Sequence, residues 1–231
     1  MAVEVVIKCV NCARAHNTKS PFVCDCGGLL DVSFNVNETN ATKKLFDKRL
    51  HEKKFPNSSG VWRFREIVHP LARDKDIVSR PEGNTNSYCH EKLSEFTGVK
   101  KLFAKHEGEN PSGSFKDRGI TVGITEANRL KAKTVACAST GNTSASLASY
   151  AAISGKKSVV FVPQGNIAVG KLAQALAFNA TVLQVKGNFD QAMRMVQESA
   201  TNLGMYLLNS INPWRLEGQK TIVFDLIQQL E

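Results

Sequence analysis

Four short segments of this 231-residue chain hold the residues best suited to chemistry. Residues 109–120 read ENPSGSFKDRGI. Asn-Pro and Ser-Gly force a loop there, and a helix is expected to begin at Ser114 or Phe115. Lys116 then falls in the first helical turn, where the macrodipole opposes a cation. An amine held there out of water has a lowered pKa, which suits covalent chemistry on a carbonyl. A solvated loop lysine is the ordinary alternative. Asp117 and Arg118 can pair locally or with neighbouring elements. Residues 138–145 read ASTGNTSA, placed after a strand and opening a helix. Hydroxyls and free N–H groups at such an end make an anion site for a carboxylate or phosphate, or an ordinary N-cap. Residues 208–221 read LNSINPWRLEGQKT. Asn209 and Ser210 end a strand, and Arg215 starts the last helix with the planar fork that suits phosphate. A solvated arginine is the plainer reading.

The fourth segment holds Cys9 and Cys12, then Cys24 and Cys26 followed by two glycines. Two close thiol pairs across a short loop suit a tetrahedral site such as structural zinc. The second pair is C-x-C, so the match to a standard ribbon is imperfect. Reduced, metal-free pairs are the alternative; disulfides are disfavoured because no export signal is read. Cys89 and Cys137 read as small buried hydrophobes.

The elements that must position these groups follow from periodicity. Residues 36–100 are polar and irregular, with short helices expected near 41–53 and 87–97. From residue 101 strands and helices alternate: strand 101–105, helix 115–130, strand 134–138, helix 143–153, strand 158–162, helix 169–178, strand 181–185, helix 189–203 and strand 205–208. That alternation predicts an α/β fold with a parallel sheet covered on both faces. Phe189, Ala192, Met193, Val196, Ala200 and Leu203 draw one buried helical stripe, and Ile222, Val223, Leu226, Ile227 and Leu230 draw another. The latter helix runs to Glu231 without a stop signal, so its apolar face needs a partner.

Composition bounds the class. Hydrophobic residues make up 42% and charged residues 22%, enough for a sizeable core. The net charge of +9 is diffuse, its longest runs being pairs such as Lys43-Lys44 and Lys53-Lys54. This argues for a solvated basic surface, and against a nucleic-acid arm. No transmembrane stretch or secretory signal is read, so a cytoplasmic protein is expected. Rossmann and Walker motifs are absent, which removes support for dinucleotide and P-loop readings.

The stretches NPSGSFKDRG, ASTGNTSAS, VGKLAQALAFNATVLQVKGNFDQA and NSINPWRLEGQKT, in that order, resemble the threonine synthase branch of the fold-type-II pyridoxal-phosphate enzymes. The cysteine segment resembles the N-terminal extension of archaeal-type members. The resemblance implies a tryptophan synthase β-like fold of three-layer parallel sheets behind a zinc-ribbon-like segment at 1–35. It places the first part of a large domain at 36–121, a small mobile domain at 122–206, and the start of the remaining large domain at 207–231. It implies that Lys116 holds pyridoxal phosphate covalently and later moves protons, with Phe115 and Asn142 beside the cofactor. Thr140, Gly141 and Thr143, with Asn142, would grip the substrate carboxylate. Asn209, Ser210 and Arg215 would contact the phosphate of O-phosphohomoserine, which is eliminated before water adds at the β-carbon. A homodimer is a further implication, whereas structural zinc at Cys9, Cys12, Cys24 and Cys26 rests on their spacing. Two departures stand out: the family's Gly-Asn-Thr-Pro-Leu appears as Gly83-Asn84-Thr85-Asn86-Ser87, and everything the family carries after the final helix is missing. The chain is therefore expected to be truncated, with weak cofactor binding and slow turnover or none. Cysteate synthase and serine/threonine dehydratase are the alternatives within the fold. A basic zinc-ribbon protein binding nucleic acid is the alternative outside it, and steep salt dependence of binding would mark it.

Overall fold

Short β-branched runs set off by turn residues make strands, and the longer segments of 3.6-residue period make helices. The computed structural model describes residues 3–17, 22–165 and 169–230, so the expectation about Glu231 lies outside it. Strands β1 (Val5–Cys9), β2 (Ala15–His16) and β3 (Leu30–Phe34) form an antiparallel sheet in the order β2-β1-β3. Helix α1 (Lys43–Leu50), capped by the Thr42 hydroxyl, and the short α2 (Arg65–Val68) follow. Strand β4 (Ser87–Cys89), helix α3 (Glu91–Thr97) and strand β5 (Phe103–Lys105) come next, β4 pairing antiparallel with β5.

Helix α4 (Lys116–Arg129) opens the regular part. Strand β6 (Thr134–Ala138), α5 (Asn142–Ile153), β7 (Lys157–Pro163), α6 (Val169–Ala177), β8 (Thr181–Val185), α7 (Phe189–Leu203) and β9 (Tyr206–Leu207) build one parallel sheet in the order β8-β7-β6-β9. The chain ends with α8 (Pro213–Gln219) and α9 (Thr221–Leu230). Strands β6, β7 and β8 step outward in one direction, and β9 returns to the far side of β6. Right-handed crossovers put the outgoing and returning helices on opposite faces. The order reverses between β6 and β9, and α/β sheets bind ligands at the carboxyl ends of strands beside such a reversal.

The expected strand at 101–105 is shorter and lies outside the parallel sheet, because β4 offers it an adjacent antiparallel partner. The open face of that two-stranded ribbon also leaves Cys89 exposed, correcting its reading as buried, whereas Cys137 is fully buried in β6. The expected division at 121/122 falls inside the unbroken helix α4. In α7 only the middle of the stripe is covered: Ala192 and Val196 are buried, and Phe189 and Leu203 are exposed.

Helix α9 turns a polar side inward. Thr221 and Asp225 are buried and Ile222 and Leu226 half-buried, whereas Val223, Ile227 and Leu230 stay exposed, so the expected apolar stripe is only partly covered. Fully buried Asp225 accepts hydrogen bonds from Arg63 Nη2, from Arg118 Nη2 at 2.7 Å and from the Asn84 N–H at 2.9 Å. Arg118 also forks onto Glu107 through Nε at 2.8 Å and Nη2 at 2.9 Å. This network ties α4 to α9 and to the Gly83–Asn86 turn. Asp225→Asn leaves two buried guanidinium groups short of a counter-charge, and is expected to cost about 3–5 kcal/mol in urea unfolding. A loss below about 1 kcal/mol would show that the network is not a structural tie.

The turn that departs from Gly-Asn-Thr-Pro-Leu has its own anchor. The Asn86 N–H, which a proline lacks, donates to Glu109 Oε2 at 2.6 Å, and Tyr88 Oη donates to Glu109 Oε1 at 2.5 Å. The Asn86 backbone and the Tyr88 hydroxyl together hold the Glu109 carboxyl down at about 2. Its folded pKa lies below the ordinary 4.5, so its contribution is full above pH 4.5 and fades as pH falls toward 2. The protection of the Asn86 amide proton, relative to an unstructured amide at the same pH, is expected to fall across that window, and the Glu109→Gln variant is expected to lack the transition.

Candidate active site

Lys116 is the first residue of α4, as its loop-then-helix sequence requires, and its N–H rests on Ser114 Oγ at 3.3 Å. Its amine lies 3.3 Å from the centre of the Phe115 ring. Burial, and after it the charge of Arg215, lower its pKa below the ordinary 10.5. No carboxylate pairs with it among the described residues. The loop that delivers it is fixed by Asp117, whose Oδ2 accepts from the Ser112 N–H at 2.6 Å. Asp117 Oδ1 accepts from Ser112 Oγ at 2.6 Å and from Ser146 Oγ of α5. Asn110 Oδ1 accepts from the Gly83 N–H at 2.9 Å and closes the loop's other end.

The loop after β6 holds Thr140, Gly141, Asn142 and Thr143. Gly141 is the N-cap of α5 without a side-chain cap, and Asn142 is exposed at the first helical position. Ser144 Oγ donates to the Gly141 carbonyl at 2.6 Å, which orders the turn. Across the strand-order reversal, Asn209 follows β9. Its Oδ1 accepts from the Ala138 N–H and its Nδ2 donates to the Ala138 carbonyl, both at 2.9 Å. The side chain thus continues the β6–β9 pairing, and both ends of the amide are occupied. One Nδ2 N–H is used in this way, and the second remains for the phosphate contact expected of Asn209. Ser210, next along, is exposed.

Arg215 is not the solvated arginine that a helix start allows. It is 2% exposed, with Nη1 donating to the Leu208 carbonyl at 3.0 Å and a buried Nε without a hydrogen-bond partner. Burial holds its pKa down at about 10. The close approach of α4 and α8 puts it there. A Cβ on Gly218 would stand 1.9 Å from the Arg118 carbonyl oxygen, and one on Gly119 would stand 2.8 Å from the Arg215 carbonyl oxygen. Only glycines allow that contact.

Sequence reasoning missed Lys171, whose Nζ donates to the Ser112 carbonyl at 3.0 Å from the first turn of α6. The cue that marked Lys116, a cation in a first turn, was present there too. A groove of about 980 Å³ lies elsewhere, at the amino ends of the strands between Phe22, Leu130 and Tyr206.

A lysine amine at the start of a helix after an Asn-Pro-Ser-Gly loop, facing an open strand-order reversal, is an arrangement that can hold a carbonyl cofactor. Residues 78–231 match the family described as pyridoxal-phosphate dependent enzyme. The chain belongs to that family. Among pyridoxal-phosphate dependent enzymes it is 49% identical over 224 residues to threonine synthase of Methanocaldococcus jannaschii, covering 96% of this chain and 54% of the relative. It is 45% identical to threonine synthase of Methanosarcina acetivorans, covering 97% and 53%. The chain therefore spans about half the length of the curated relatives it matches. Solved members share the fold. Diaminopropionate ammonia lyase of Escherichia coli in complex with D-serine superposes with a TM-score of 0.61 at 16% identity, over 99% of this chain and 55% of that one. Threonine deaminase isoform 2 of Solanum lycopersicum does so with a TM-score of 0.60 at 20% identity, over 84% and 48%. These likenesses bear out the α/β fold type.

The family's cofactor fits the residues present. Lys116 offers a partly desolvated amine without a counter-ion, Phe115 an aromatic face beside it, and the start of α5 a polar turn. The four cysteine sulfurs, all within 4.8 Å of one another, are compatible with a metal. No helix among the described residues is long and apolar enough to cross a membrane.

Proposed function

We propose that the chain carries the lysine-bearing part of a threonine synthase, converting O-phospho-L-homoserine and water into L-threonine and phosphate. The observation that carries this reading is the pair Lys116 and Arg215: two neighbouring cations that no carboxylate neutralises among the described residues. Burying a guanidinium without a counter-charge is unfavourable unless an anion completes the site. A substrate with a phosphate as leaving group supplies one beyond its carboxylate, whereas serine and threonine carry the carboxylate alone. The curated relatives at 45–49% identity bear the name threonine synthase, which supports the same choice.

Pyridoxal phosphate, when bound, supplies the electron sink that lets protons leave carbon next to the amino group. The Lys116 amine, kept neutral more readily than an ordinary lysine, takes and returns those protons at Nζ. Thr140, Gly141, Asn142 and Thr143 bind the substrate carboxylate at the positive end of α5. Arg215 and the Ser210 hydroxyl orient the phosphate and stabilise the charge that grows on it as it leaves. Asn209 holds that strand end in register with Ala138 and so acts as a positioning residue. The working protein is a cytoplasmic homodimer on this reading, acting on a small phosphorylated amino acid, with no nucleic-acid or membrane partner.

The test supplies pyridoxal phosphate and O-phospho-L-homoserine and measures both products. Threonine and phosphate in equal amounts support the reading; phosphate accompanied by a 2-oxo acid would contradict it.

A further inference from the structure

We propose that Cys9, Cys12, Cys24 and Cys26 hold one zinc ion, and that the resulting unit braces residues 206–219, the segment that carries Asn209, Ser210 and Arg215. Tetrahedral zinc with Zn–S bonds of about 2.3 Å sets its sulfurs about 3.8 Å apart. Here Cys9 Sγ and Cys26 Sγ are 3.5 Å apart, Cys12 Sγ and Cys24 Sγ 3.6 Å, and all four lie within 4.8 Å. Two disulfides would not need the four to converge on one point. The surrounding backbone is shaped for sulfur: the Asn11 N–H points at Cys9 Sγ at 3.4 Å, and a Cβ on Gly28 would stand 2.6 Å from that sulfur. Four thiolates leave no open position, so the metal is structural.

The unit cannot hold itself by packing. Its own apolar cluster is Ile7, Cys9, Cys24 and Leu30, so two of the four members are ligands. A core that small needs the metal to keep its shape. Two footholds connect it to the rest of the molecule. Val32 of β3 packs in one cluster with Val122 of α4 and Trp214 of α8, and Lys220 Nζ lies 5.8 Å from the Phe34 ring centre. Phe22, just before the second cysteine pair, meets Tyr206 of β9 edge-on with centroids 5.4 Å apart. One foothold is on β9 and the other on α8, so they bracket residues 208–212 and the Arg215 guanidinium. The bearing on Arg215 rests on the function proposed above; the metal and the brace do not.

Metal analysis of the purified protein is expected to give one zinc per chain, and cobalt exchange to give thiolate charge-transfer absorption. Chelation is expected to speed amide exchange at 206–219 by about tenfold or more, with β6, α5 and β7 unchanged, and zinc is expected to restore it. Cys12→Ser with Cys26→Ser, at the two exposed positions, is expected to reproduce the metal-free exchange. Affinity for inorganic phosphate is expected to fall together with the metal. Absence of stoichiometric metal, a disulfide-bonded mass, global unfolding on chelation, or unchanged exchange at 206–219 would each overturn the proposal. Should phosphate fail to bind the zinc-loaded protein, the phosphate reading of Arg215 fails, while metal content and exchange still decide the brace.

Discussion

Lys116→Ala is expected to abolish covalent cofactor attachment and to lower turnover by at least about 10³-fold, because in the proposed function one amine both holds the cofactor and moves the protons. Lys116→Arg keeps a cation in place yet is expected to fail equally, since a guanidinium stays protonated and does not attack a carbonyl. The fold should survive both changes. The Lys116 side chain makes no hydrogen bond among the described residues, and the loop before it is held by Asp117, Ser112 and Ser146. Burial and the charge of Arg215 lower the Lys116 pKa, so cofactor attachment is expected to rise with pH through a midpoint below the ordinary 10.5. Removing the Arg215 charge should move that midpoint upward. Full turnover in Lys116→Ala, followed as threonine released, would remove the lysine from the chemistry.

Arg215→Met is expected to separate stability from function. The guanidinium is 2% exposed, its Nε has no partner, and its pKa is held down at about 10 against 12.5. The unfolded chain therefore holds the proton more tightly than the folded one. The resulting penalty is full below pH 10 and fades as pH rises above it. A methionine of similar length removes the charge and keeps the packing, so the variant is expected to be more stable at neutral pH by about 1–4 kcal/mol in urea unfolding. Affinity for phosphate and for the phosphorylated substrate is expected to fall roughly a hundredfold, the loss of a charge-assisted contact in a desolvated site. Destabilisation with unchanged phosphate affinity would make Arg215 a structural residue.

Such a trade explains why α4 and α8 meet through Gly119 and Gly218. The close contact brings a cation to Lys116 at a place where no carboxylate among the described residues pairs with it. A substituted Gly218 should act on the phosphate site through that distance, without touching ligand.

Much of this organisation was legible in the residues. Strands 134–138 and 181–185 and helix 189–203 have the expected bounds, because strong periodicity and clear turns enclose them. The Lys116 loop and the polar turn before α5 were readable for the same reason: Gly, Pro and hydroxyl residues act locally. What escaped depends on contacts distant in sequence. Burial of Arg215 follows from glycines a hundred residues apart in the chain meeting across two helices. The inward polar side of α9 follows from Asp225 answering Arg63 and Arg118, a pairing that no apolar stripe reveals. Asn209 also completes a two-residue strand by imitating backbone, a role that its position in the sequence does not reveal. The strand at 103–105 found its partner in β4 and not in the parallel sheet, since pairing choice is set by proximity and not by composition.

The proposed chemistry rests most on which amine bears the cofactor. Incubation with pyridoxal phosphate, borohydride reduction and peptide mapping identify it directly. A single phosphopyridoxyl group is expected in the peptide containing Phe115-Lys116-Asp117, absent from Lys116→Ala. Attachment at Lys171 or Lys105 in place of Lys116, or no attachment at all, would contradict it.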